Sequence, residues 1–105
     1  MMRCCLSLIL VIGLASWYGF EEGPTTANGE KWNPMGYTCA SNIHPFGTRL
    51  KVTNMDNGKS VVVRVNDRGG YDRKGRIIDL SQASFSKIAD LNQGLAKVKV
   101  EKEQN

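Results

Sequence analysis

The chain has 105 residues, 41% of them hydrophobic and 23% charged, a profile that suits one globular domain and is too apolar for a disordered segment. A chain this short buries only about 60–65% of its unfolded surface, so a shallow groove is expected rather than a deep internal cavity. The net charge of +4 is scattered, with no basic stripe interleaved with aromatics, which argues against a nucleic-acid partner and suits residence near an anionic polymer.

The first fifteen residues have the layout of a secretory signal. Arg3 supplies a positive start, Cys4 to Leu14 is almost unbroken apolar sequence, and Gly13-Leu14-Ala15 offers small residues at an exit. The apolar run is well short of the roughly 20 residues that cross a bilayer. The expected organisation is therefore a signal peptide over 1–15 and a domain over 16–105. Export to the periplasm, the envelope or the exterior follows, without a stable membrane anchor, because both signal cysteines precede the apolar run. The domain then keeps only Cys39, which reads as a small buried residue, and no intramolecular disulfide.

Glu21 to Gly36, rich in Gly, Pro, Asn and Thr, reads as a long structured loop. Arg49 to Asn54 alternates polar and apolar residues as a half-buried strand does, and Asp56-Asn57-Gly58 supplies the turn. Lys59 to Asn66 returns with a β-branched run that suggests burial on both faces. Asp67-Arg68-Gly69-Gly70 turns the chain, and Arg76 to Leu80 is a short strand. Ser81 can cap a helix with Phe85, Ile88 and Ala89 on its buried stripe and Leu91 near its end, and Ala96 to Glu101 alternates as a last strand. The expected fold is all-β, about six short strands with one short helix, closed into a barrel that leaves no free edges.

One histidine, one domain cysteine and scattered carboxylates do not form a metal-ligand pattern, and there is no phosphate loop or nucleophile motif. The candidates are Asp67 and Asp79. Asp67 ends the most apolar strand at a Gly-Gly turn, a place that suits a catalytic group held by a rigid scaffold and equally a carboxylate capping the Gly69 or Gly70 N–H. Asp79 stands at a helix entrance, where the dipole favours a carboxylate.

Seven motifs follow in order: Ser16-Trp17-Tyr18-Gly19, Thr26-Ala27-Asn28-Gly29-Glu30, Pro45-Phe46-Gly47-Thr48, Val52-Thr53-Asn54, Asn57-Gly58, Val63-Arg64-Val65-Asn66-Asp67-Arg68-Gly69 and Ile77-Ile78-Asp79-Leu80-Ser81. Together they resemble the rare-lipoprotein-A-like (RlpA-like) family. That resemblance implies a six-stranded double-psi β-barrel related to expansins and barwin-like proteins. It also implies an endolytic peptidoglycan transglycosylase, free of metal and cofactor, that cuts stem-peptide-stripped glycan strands and leaves 1,6-anhydro-muramoyl ends. An expansin-like or barwin-like module that grips glycan without cutting is the alternative.

By the same resemblance Asp67 is the essential acid. The family's functional histidine, in a Thr-Ala-Ala-His stretch, is replaced here by Ser41, and His44 lies three residues later as a surface loop residue. Ser41 can bind substrate or orient Asp67 but cannot hold a proton as imidazole does. Asn66 is expected to orient Asp67 too, while Tyr18, Thr26, Asn28 and Arg68 are expected to bind substrate along the groove. Asp67 would act from partial burial in the groove floor. A monomer acting on glycan strands is expected.

Overall fold

The structure is a computed structural model that describes residues 10–18, 25–31, 33, 35–69 and 75–103. Six strands, β1 (Leu10–Trp17), β2 (Thr38–Ala40), β3 (Arg49–Asn54), β4 (Ser60–Asp67), β5 (Arg76–Leu80) and β6 (Ala96–Lys102), close a barrel in the order β1-β5-β2-β4-β3-β6. Two pairings are parallel, β1 with β5 and β2 with β4, and the others are antiparallel. One helix, α1 (Gln82–Ile88), and a 3₁₀ turn (Leu91–Gln93) join β5 to β6.

Period-2 patterning decides what lies inside. Leu50 and Val52 from β3, Val61, Val63 and Val65 from β4, Ile78 and Leu80 from β5, and Ala96, Val98 and Val100 from β6 fill the barrel with Phe85 and Ile88 of α1. Each fully buried side chain of this kind contributes about 1.5–3 kcal/mol. The β3–β4 hairpin closes as expected, Gly58 adopting φ 79° and donating to the Asn54 carbonyl. Ser81 caps α1 by accepting from Ser84 N. Val62 corrects one expectation: β4 is not buried on both faces, because Val62 is only partly covered, as the outer wall of a barrel this small has no second layer upon it.

β1 begins at Leu10, inside the segment assigned to the leader. Leu10 to Ala15 pair one to one with β6 from Glu101 back to Ala96, and Leu14 N donates to Gly75 O. Ala15 is fully buried in the core. A Cβ at Gly13 would stand 2.7 Å from Ile77 Cγ2 and 3.0 Å from Gly75 O, so glycine is what allows β1 to lie this close to β5. Six residues of β1, Leu10 to Ala15, thus lie ahead of the expected domain start at Ser16. A strand with an apolar residue even at the half-exposed Ile12 reads in sequence like a leader's apolar stretch. β2, only three residues long, is too short for alternation to reveal.

Candidate active site

β2 and β4 run in parallel with one break in register. Cys39 stands opposite Val65 and Ala40 opposite Asp67, which leaves Asn66 as the extra residue on β4. A bulge of this kind turns the strand and re-aims the side chains beyond it. Here it carries Asp67 to the barrel rim, half-buried, while Asn66 is buried. Ala40 pairs with Asp67 on one side and with Asp79 of β5 on the other, and Tyr18 packs on Ala40 between them.

The turn over Thr26–Glu30 clasps this end of β4. It is closed by Thr26 N to Glu30 O at 2.8 Å and Gly29 N to Thr26 O at 2.9 Å, and Asn28 Oδ1 accepts from Thr26 Oγ1 and Glu30 N. Asn28 N donates to Asn66 O, and Ala27 N donates to Asp67 Oδ1 at 2.9 Å. Arg68 N reaches the same oxygen at 2.9 Å. Oδ1 is thus fixed as an acceptor of two main-chain N–H groups. Oδ2 has no hydrogen bond among the described residues. The turn-cap reading of Asp67 holds in part, with Ala27 and Arg68 as its donors; Gly69 N is taken by Asn42 Oδ1.

Glu30 ties the clasp down. Its carboxylate accepts both terminal nitrogens of Arg64, Asn66 Nδ2 at 3.1 Å and Asn28 Nδ2 at 3.1 Å. These bonds, from Arg64 first, hold its carboxyl down at about 2. Sequence reasoning did not single out Glu30, although it is the one acid of the Thr-Ala-Asn-Gly-Glu motif and Arg64 the first cation of the motif carrying Asp67.

Because Glu30 titrates lower in the fold than its ordinary 4.5, the stabilisation it gives is complete above that value and is lost as pH falls toward 2. Glu30→Gln is expected to cost about 1 kcal/mol at pH 7, the modest size reflecting a partly exposed and screened pair. The difference from wild type should shrink in denaturation measured near pH 3. An equal gap at both pH values would show that the carboxylate's charge is not what matters.

The other expected site residues divide. Thr26 and Asn28 build the clasp. Asn66 does not reach the Asp67 carboxyl; its Nδ2 bonds Glu30, its main-chain oxygen receives Asn28 N, and its buried Oδ1 has no partner among the described residues. Tyr18 is buried: its hydroxyl lies 3.5 Å from Thr38 Oγ1, and burial, with the charges of Asp67 and Asp79 adding, keeps the phenol protonated. Arg68 is exposed, its guanidinium 3.9 Å above the Phe46 ring.

Ser41 differs from expectation. It is buried, and its Oγ accepts from Ile43 N at 3.2 Å and His44 N at 3.3 Å, so the hydroxyl shapes its own loop. It meets Asp67 through the backbone alone, Ser41 N donating to Asp67 O at 3.1 Å. His44 is half-buried, and burial, with Lys102 beyond it, favours the neutral ring. Ser41→Ala strands two main-chain donors and is expected to cost about 1–2 kcal/mol in chemical denaturation. No loss would show that water takes the hydroxyl's place.

Asp79 is a strand residue, not a helix-entrance charge. Ser81 intervenes as the cap, and Asp79 Oδ1 accepts from Ser16 Oγ at 2.9 Å. Cys39 is fully buried, which pushes its thiol up and keeps it protonated. Asn42 closes the rim with a reciprocal pair of bonds to Gly69, locking the 41–46 loop to the turn after Asp67.

A family model described as lytic transglycolase matches residues 11–100. The chain is 49% identical over 92 residues to the endolytic peptidoglycan transglycosylase RlpA of Pseudomonas aeruginosa (strain UCBPP-PA14), covering 87% of this chain and 27% of that protein. It is 50% identical over 90 residues to the protein of the same name from Vibrio cholerae serotype O1, covering 85% and 34%. The chain thus spans about a quarter to a third of the length of the curated relatives it matches. Among solved structures, the Streptomyces papain inhibitor superposes with a TM-score of 0.73 at 23% identity, over 90% of this chain and 94% of that one, a likeness of fold.

Proposed function

This chain belongs to the lytic transglycolase family of RlpA-like double-psi β-barrels, and on that premise we propose that it is an endolytic peptidoglycan transglycosylase. Its substrate is the glycan strand stripped of stem peptides, and its product end is a 1,6-anhydro-muramoyl residue. The chain acts in the cell envelope, outside the cytoplasmic membrane. The observation that carries this reading is the carboxyl of Asp67, with one oxygen pinned by Ala27 N and Arg68 N and the other left for proton transfer.

In the reaction a proton on Asp67 Oδ2 passes to the glycosidic oxygen as the bond from the muramic acid C1 breaks. The carboxylate so formed takes the proton of the same sugar's 6-hydroxyl, whose oxygen bonds to C1 and closes the anhydro ring. One carboxyl serves both steps because no water is activated, unlike the paired acids of ordinary glycosidases. The clasp through Glu30, Asn28 and Asn66 keeps Oδ1 in register, and Tyr18 stays a neutral phenol packed on Ala40.

The test is incubation of the purified protein with stem-stripped peptidoglycan and mass spectrometry of the fragments. Fragments with anhydro ends are expected. Binding to the strands with no new ends would favour the glycan-gripping module instead.

A further inference from the structure

We infer that Arg68 reads the free lactyl carboxylate of the muramic acid being cut, and so makes the site selective for strands whose stem peptides are gone; this rests on the function proposed above. Three arginines lie on or beside β4 and its partner strand, and two of them are neutralised within the protein. Arg49 pairs with Glu103 and Arg64 with Glu30. Arg68 has no carboxylate partner among the described residues, although it is the cation next to Asp67.

It is nevertheless held in place. Its Nη1 donates to Ser41 O at 3.0 Å and toward Asp67 O at 3.4 Å, and its plane carbon stacks on Phe46. Ser41 O is offered by a loop that Asn42 fastens to Gly69 on both sides. Both of these bonds use one nitrogen. The Nε–H and the Nη2–H beside it form the fork edge that matches a carboxylate in two parallel bonds, and nothing among the described residues uses it. A fixed, exposed, unneutralised fork beside the acid is built for an anionic group on the reacting sugar.

The chemistry of the substrate supplies one. Muramic acid carries a lactyl ether on the ring whose glycosidic bond Asp67 opens. Its carboxyl is an amide when a stem peptide is attached and an anion when the peptide has been removed. An amide offers one acceptor and no charge, so the fork distinguishes the two states.

The experiment compares stem-stripped strands with the same strands after carbodiimide coupling to ammonia, which turns the lactyl carboxylates into carboxamides. Wild type should form anhydro ends about ten- to a hundredfold faster on the free acid. Arg68→Gln should fall to the rate of wild type on the amide and no longer distinguish the substrates, while Arg68→Lys, which keeps the charge and loses the fork, should lie between. Equal wild-type rates on both substrates, or full discrimination by a folded Arg68→Gln, would overturn the inference. If wild type forms no anhydro ends on either substrate, the proposed activity fails, and binding of the two soluble strand preparations decides the role of Arg68. Tighter binding of the free acid by wild type, and not by Arg68→Gln, then supports it, and equal binding overturns it.

Discussion

Asp67→Asn should melt close to wild type and still bind glycan strands, while its rate of anhydro-end formation drops by about 10²–10⁴-fold. The substitution is nearly isosteric. An amide oxygen in the place of Oδ1 keeps both main-chain donors, Ala27 N and Arg68 N, so the clasp over Thr26–Glu30 stays closed. What disappears is the second oxygen, the one without a hydrogen bond among the described residues, and with it the site of the moving proton. The measurement is the initial rate of anhydro ends by mass spectrometry, alongside a thermal melt. A variant that cuts as fast as wild type would reduce Asp67 to a turn acceptor.

The second large effect concerns the amino-terminal segment. A protein of residues 16–105 should fail to fold, whereas one of residues 10–105 should melt like the full chain. Removing residues 1–15 takes Leu10 to Ala15 out of the eight-residue β1, and with them every pair that β1 makes with β6. The barrel opens between β5 and β6, two strand edges lose their partners, and Ala15 leaves the core. A small domain has only about 5–15 kcal/mol to lose, and a whole central strand exceeds it. Circular dichroism and size-exclusion chromatography on the two proteins read the outcome. A cooperative melt by residues 16–105 would show that β1 is dispensable.

Sequence patterning exposed the parts of this fold that alternate over enough residues. The β3–β4 hairpin and β6 could be drawn from alternation and a turn, and α1 from Ser81 and its apolar stripe. β1 was obscured because a barrel strand with an apolar outer residue, Ile12, beside a lone Arg3 has the profile of a leader. Asp67 was singled out by the motif that carries it at the end of β4. Glu30 was not, because its meaning lies in Arg64 and Asn66, some 34 and 36 positions away. Ser41 misled for the opposite reason: its partners are the amides two and three residues on, a local bond that competes with any role toward Asp67.

In the proposed reaction a single carboxyl closes an anhydro ring without activating water. Digesting stem-stripped peptidoglycan with the protein in heavy-oxygen water tests it most directly. New ends one water lighter than a hydrolysed end, and free of heavy oxygen, are expected. Reducing ends labelled with heavy oxygen would contradict it, because they would show that water, and not the sugar's own hydroxyl, attacks the muramic acid.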